Sequence, residues 1–220
     1  MNNDIDDVVA VLQAKWGKRA LRRGTPPNDL YTHQLSTGTV ALDDGLGGGW
    51  QWGESYTLSG YGSSGASTLA YRTLVTAQAE SCWPLWIDMS RTFDPCRAHH
   101  LGVDVERLTV VRPASLTELG RLLHDLLPLG GLIIAHIAPE EKGPLPEPLR
   151  QTRRHVAPSG LLLWLCPLLT HAVDLPPTTY RLTCRRMPDA TSLPATWQSQ
   201  ITVQRYDRTL ATVTVAFDSP

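Results

Sequence analysis

An α/β fold with a mostly parallel central sheet, flanking helices and antiparallel C-terminal strands is what this sequence predicts. Three observations predict it. Strand-like and helical segments alternate from residue 35 onward, the pattern of a parallel sheet with helices on both faces. Leu132–Ile134 and Leu161–Cys166 are continuous apolar runs, as expected of strands covered on both sides. Tyr180–Arg186, Gln200–Tyr206 and Thr209–Phe217 instead alternate polar and apolar residues, as half-covered antiparallel strands do.

Size and composition set the outer bounds. A chain of 220 residues with 42% hydrophobic content is enough for one sizeable domain. Its formal charge of −1 provides no global basic field to attract nucleic acid, so any such contact must come from local arginine clusters. The four cysteines, Cys82, Cys96, Cys166 and Cys184, show no C-x-x-C spacing; their near-strand positions predict mostly buried free thiols and a cytoplasmic setting. Cys96 with His99 and His100 is the one tempting metal cluster. Lacking a second Cys/His pair at zinc spacing, it reads as a surface helix turn. No apolar run approaches ~18 residues and no N-terminal signal pattern is present, so no membrane association is expected.

The elements follow in order. Ile5, Val8, Val9, Leu12 and Trp16 recur at helical spacing. Asp4, Asp6 and Asp7 occupy the first turn, where the helix dipole favours acid. A basic stretch with Lys18, Arg19, Arg22 and Arg23 comes next, then a linker with Pro26 and Pro27. Residues 1–30 are thus expected to form an arm, and 31–220 a core domain. Within the core, Glu54–Ser59 reads as a strand, Ser67–Ala79 as a helix, and Pro84–Ile87 and Leu108–Val111 as short strands. Leu116, Leu119, Leu122, Leu123 and Leu126 mark a helix face. Asp207-Arg208 is the expected hairpin turn, and Gly143–Pro148 and Leu175–Pro177 are expected loops. Trp50, Trp52, Trp164 and Trp197 are expected in or at the edge of the core.

Residues 60–68, Gly-Tyr-Gly-Ser-Ser-Gly-Ala-Ser-Thr, carry the most specific chemistry. A phosphate-binding loop reads G-x-x-x-x-G-K-[ST]. Gly60, Gly65 and Ser67 hold their places, with Thr68 after them, but Ala66 stands where the lysine belongs. Backbone N–H groups can still turn toward an anion, while the point charge for the β- and γ-phosphates is gone.

This loop belongs to a longer ordered series: Leu35-Ser36-Thr37-Gly38-Thr39-Val40-Ala41-Leu42-Asp43, Leu46–Gly49, Ile87-Asp88 with Phe93-Asp94-Pro95, and Leu101-Gly102-Val103-Asp104. In order and spacing it closely resembles the bacterial RecA recombinases from about residue 8 to 135. Lys15-Trp16-Gly17-Lys18 is similar to the end of the RecA N-terminal helix and the strand after it. The resemblance implies a RecA-like core, with no counterpart of the small RecA C-terminal domain expected in this sequence.

Against that family the departures share a direction. Ala66 replaces the loop lysine, Ser90 the glutamate that activates water, and His136 the magnesium-linked aspartate. Pro167 stands near the glutamine that senses the γ-phosphate, and Arg97 replaces the aromatic that stacks on adenine. Ser67, the potential magnesium ligand, and Asp94, near the adenine, are retained. Neutral imidazole is a poor substitute for a carboxylate toward magnesium, and losing one preorganised electrostatic group can cost ~10²–10³ in rate. The expectation is a degenerate ATPase fold that does not hydrolyse ATP and needs no cofactor. Weak binding of ATP or magnesium stays open, because the loop N–H groups and the following helix N-terminus still attract anions.

Function would then lie in surfaces. The arm residues Val8, Leu12, Trp16, Arg19, Arg22 and Arg23 have the composition of an interface, and a tethered amphipathic helix must dock on its own core, on another copy or on a partner. Arg150, Arg153 and Arg154, with His155, form either a solvated helix face or a DNA-phosphate contact. Arg185 and Arg186 are a second basic pair, with strand-edge protection as the plain alternative. The loops that grip DNA in RecA correspond to about 139–148 and 168–177, and look short. In size and degenerate loop the chain resembles ImuA-type RecA relatives. That resemblance implies a DNA-damage-response accessory in translesion synthesis, with a Y-family polymerase-like protein of the ImuB type or RecA as partner. The alternatives are a modulator of RecA filaments and a DNA-binding module.

Overall fold

The computed structural model describes residues 34–137, 146–167, 177–188, 196–206 and 208–218. The proposed arm residues Val8, Leu12, Trp16, Arg19, Arg22 and Arg23 lie outside them, as does nearly all of both expected DNA loops.

A two-stranded antiparallel piece, β1 (Gln34–Leu35) with β2 (Trp50–Gln51), brackets helix α1 (Val40–Leu46). The main sheet contains β3 (Ser55–Gly60), β4 (Leu85–Asp88), β5 (Thr109–Val111), β6 (Gly131–His136), β7 (Gly160–Pro167), β8 (Tyr180–Arg186), β9 (Thr196–Arg205) and β10 (Arg208–Asp218). Its order is β10-β9-β8-β3-β7-β6-β4-β5. Pairings from β5 through β8 are parallel, while β8–β9 and β9–β10 are antiparallel. The helices between them are α2 (Ala66–Ala79), α3 (Pro95–His100), α4 (Leu116–Leu126) and α5 (Glu147–His155). This is the α/β architecture expected from the sequence.

Strand alternation divides the core in two. On β6, Leu132 and Ile134 join one buried cluster with Leu69 and Leu74 of α2, while Ile133 and Ala135 join a second with Leu119 and Leu123 of α4. β7 repeats the division, with Leu161, Leu163 and Leu165 on the first side and Leu162, Trp164 and Cys166 on the second. Side chains that alternate across a strand covered on both faces must all be apolar, which explains the unbroken runs. Trp50 is fully buried, and its Nε1–H donates to Thr73 Oγ1 at 3.0 Å. Helix caps match their residues: Asp94 Oδ1 accepts from Arg97 N, and Ser115 Oγ from Glu118 N.

Three expectations need correction. The hairpin turn is displaced by one residue: Arg208 already pairs with Arg205, and Tyr206 has φ +53°. Arg185 and Arg186 do not protect a sheet edge, because β8 lies between β3 and β9; they sit at its C-terminal end. The proline-bearing stretch ending at Pro148 is not all loop, since α5 begins at Glu147. Proline is tolerated in a first turn, where its missing N–H has no intrahelical partner to lose.

Candidate functional site

β3 is the centre of the sheet, flanked by β7 and β8, and residues 60–68 leave its C-terminal end to begin α2. Ligands of open α/β sheets gather at such ends. Gly65 caps α2 with φ +96°, a conformation glycine adopts freely. Gly60 cannot carry a side chain either: a Cβ there would collide with Ser64 Oγ and stand 2.6 Å from the Cys184 carbonyl oxygen. From behind, Ser199 Oγ donates to the Ser64 carbonyl at 2.7 Å. The turn is therefore tight, with glycine required at both ends and its carbonyl side tied to β9.

Two cavities open around it. One, of about 520 Å³, is lined among others by Ser64, Ala66, Ser67, Ser90, Asp94, Arg97 and His136. The other, of about 500 Å³, is lined by Gly62, Ser63, Gly65, Ser67, Thr68, Arg97, Arg186 and Trp197. The fold brings Gly60, Gly65, Ala66, Ser67, Thr68, Ser90, Asp94, Arg97 and His136 together around this loop. The second basic group, Arg150, Arg153 and Arg154, is elsewhere, on α5. Cys96, His99 and His100 are exposed on α3. Among the described residues no cluster of three His, Cys, Asp or Glu side chains is placed to hold a metal ion.

The first cavity holds Ser90 and His136 where the resemblance implies carboxylates, alongside Asp94 and Arg97. β4 and β6 run side by side with Asp88 opposite His136, so Ser90 and His136 meet just past the strand ends. Ser90 Oγ lies 2.8 Å from His136 Nδ1, Thr92 Oγ1 lies 2.9 Å from the same nitrogen, and the two hydroxyls are 2.8 Å apart. Burial lowers the His136 pKa, against the opposing pull of Asp88, which favours the uncharged ring. Asp88 itself is fully buried and turned to the chain. It accepts from Thr92 N at 3.0 Å, Phe93 N at 3.2 Å, Ser90 Oγ at 3.3 Å and Arg112 Nε at 3.4 Å. Among the described residues the carboxylate in this cavity lining is Asp94, already engaged as the α3 cap.

The second cavity is basic. Arg97 Nη2 is 3.4 Å from Thr68 Oγ1. The Arg186 guanidinium lies 5.2 Å from the Trp197 ring centre, and Trp197 packs on Phe217 at 4.8 Å and against Gly65. Trp197 lies in the buried core, as expected of a core or core-edge residue; no short-range pattern puts it or Arg186 beside residue 65.

The sequence profile of the RecA N-terminal domain matches residues 3–130. The chain belongs to the RecA family. It is 33% identical over 128 residues to Protein RecA of Chlorobaculum parvum, a match covering 57% of this chain and 37% of that protein. Protein RecA of Lactiplantibacillus pentosus is 30% identical over 130 residues, covering 59% and 34%. That of Prochlorococcus marinus is 33% identical over 106 residues, covering 48% and 28%. The chain spans 37% or less of the length of these relatives.

A RecA-family core implies magnesium and a nucleoside triphosphate. The donor set does not fit that pair. Magnesium requires hard oxygen ligands in near-octahedral array; Ser67 is retained, but His136 stands where the resemblance puts the magnesium-linked aspartate and is hydrogen-bonded to Ser90 and Thr92. Ala66, packed against the core, carries no charge for the phosphates.

Proposed function

We propose that this protein is a non-hydrolysing RecA-family accessory of the bacterial DNA-damage response that works by protein–protein contact in damage-induced mutagenesis. The observation that carries the reading is the Ser90–Thr92–His136 triangle in the place of two catalytic carboxylates. A site without general base, metal carboxylate or lysine has lost most of what stabilises phosphoryl transfer. What remains useful is the scaffold and its surfaces. The amphipathic arm with Trp16 and its arginines is the proposed contact with a Y-family polymerase-like protein of the ImuB type, with RecA, or with another copy.

Two measurements test this. With ATP, magnesium and single-stranded DNA, phosphate release stays at the buffer rate. Affinity capture from DNA-damaged cells with the full chain recovers a translesion polymerase or RecA, and the variant lacking residues 1–24 does not. Steady turnover, or capture of neither protein by the full chain, defeats the reading.

A second reading is nucleic-acid contact, favoured by one specific cluster. Arg153 Nη2 donates to Tyr206 Oη at 2.7 Å, and the Arg153 and Arg205 guanidinium groups lie 5.3 and 5.9 Å from the Tyr206 ring centre. Charge reversal at Arg153 and Arg154 then flattens the slope of log affinity against log salt; an unchanged slope removes this reading.

A further inference from the structure

We propose that β10 is a pairing edge for a second copy of this chain, forming a closed two-fold dimer in which the two β10 strands run antiparallel and Val213 faces its own counterpart. The surface is separate from the proposed N-terminal arm, and the inference is independent of the accessory role, which would stand for a monomer.

Four observations converge on it. The first is position. The eight-stranded sheet ends in β10 on one side and β5 on the other. β5 has three residues, and a very short edge strand offers little to pair with. β10 has eleven. The second is composition. Between Arg208 and Asp218 the strand reads Thr-Leu-Ala-Thr-Val-Thr-Val-Ala-Phe, with no charge, proline or glycine, so it lacks the residues that keep edges apart. Its one irregularity lies between Thr209 and Ala211 and leaves Ala211 to Asp218 in continuous register with β9. The third is phase. Gln198, opposite Ala216, gives its carbonyl to Met187 N at 2.9 Å on the β8 side. Ala216 therefore turns its backbone groups away from β9, and its carbonyl is met by Arg72 Nη1 of α2 at 3.5 Å. Antiparallel strands alternate such residues, so Thr214 and Thr212 also point outward, where no described residue bonds to their backbone groups. The fourth is charge. Arg208 and Asp218 are exposed, and neither forms an ion pair with a described residue. They are opposite in sign and equally far from Val213 along the strand.

A two-fold axis at Val213 uses all four. It overlaps the two strands end to end and sets Thr212 against Thr214 of the second copy, so that their outward N–H and C=O groups exchange hydrogen bonds. It also brings Arg208 of each copy toward Asp218 of the other, a favourable cross-strand pairing; a parallel pairing in register would align like charges instead. Leu210 of β10 and Val40 of α1, which packs on β10 through Gly45, are exposed apolar side chains on the elements that form this rim. The contact uses the same patch on both copies, so it closes at two.

The test is sedimentation equilibrium of the full chain from low to high micromolar concentration. A monomer–dimer equilibrium is expected. Arg208→Asp and Asp218→Arg should each weaken it on the order of tenfold, because each puts like charges at both ends of the joint. The double variant Arg208→Asp/Asp218→Arg should return it to near the wild-type strength. Thr214→Pro should abolish it, by removing an outward N–H that β9 does not use, a position where an edge strand tolerates proline. Thermal midpoints within a few degrees of wild type certify that the variants are folded, and the charge exchange decides the matter if the proline variant melts early. The proposal is overturned if the full chain stays monomeric throughout. It is equally overturned if every variant dimerises as wild type does, which places the contact elsewhere, or if the double exchange fails to recover what the single variants lose.

Discussion

Gly65 and Phe217 touch so closely that a Cβ on residue 65 would stand 2.7 Å from Phe217 Cε2. The terminal strand of the sheet thus closes on the loop that begins α2. Gly65 also has φ +96°, so alanine there meets backbone strain and a rigid ring together.

Gly65→Ala is therefore expected to lower stability by about 2 kcal/mol or more, from the sum of an unfavourable backbone region and overpacking. Urea unfolding followed by tryptophan fluorescence measures it. A midpoint unchanged from wild type would contradict the contact.

Restoring the lysine should not restore chemistry. Ala66→Lys places one cation at the loop but leaves Ser90 and His136 bonded to each other, and each missing electrostatic group is worth ~10²–10³ in rate. Phosphate release by this variant, with ATP, magnesium and single-stranded DNA, is expected to stay at background. Sustained turnover would show that this triangle is not the obstacle.

His136 makes a signed contribution to the pH dependence of stability. Burial lowers its pKa in the folded protein, so the unfolded chain takes up a proton first as pH falls. Stability is then fully present above the unfolded value of ~6.5 and declines below it, until the folded ring also protonates. His136→Asn removes this one term. The difference in unfolding free energy between wild type and variant should shift against wild type between about pH 7 and pH 5, and a pH-independent difference would refute it.

Thiol labelling should separate the cysteines. Burial pushes the Cys166 and Cys184 thiols up to about 12, so almost none is thiolate at pH 8, whereas Cys96 is exposed. Cys96 is expected to react with iodoacetamide in the native state, and Cys166 and Cys184 only after denaturation. Native labelling of Cys184 as fast as Cys96 would show that β8 opens.

Much of this architecture was legible in advance, for local reasons. The apolar runs of β6 and β7 report double-sided burial directly, and the heptad-like leucines of α4 report its one buried face. The phosphate-loop spacing from Gly60 to Thr68 marked the candidate loop, because a tight turn into a helix needs its glycines at set offsets. The strand-edge alternative for Arg185 and Arg186 failed because strand order is not a local property. Nothing between residues 180 and 186 says that β3 and β9 flank that strand. The hairpin was off by one because Tyr206, with no turn-residue signature, adopts a positive φ.

From the chain alone came the RecA kinship, the α/β class and the missing charges at residues 66, 90 and 136, since these are facts about residue type and spacing. The folded molecule alone shows that Ser90, Thr92 and His136 satisfy one another, that Asp88 spends its oxygens on the chain, and that Arg97 and Arg186 converge on the emptied loop. Those are relations among residues far apart in sequence. They arise because parallel strands deliver their C-terminal ends to one edge of the sheet, where polar groups must find partners among whatever the fold brings near.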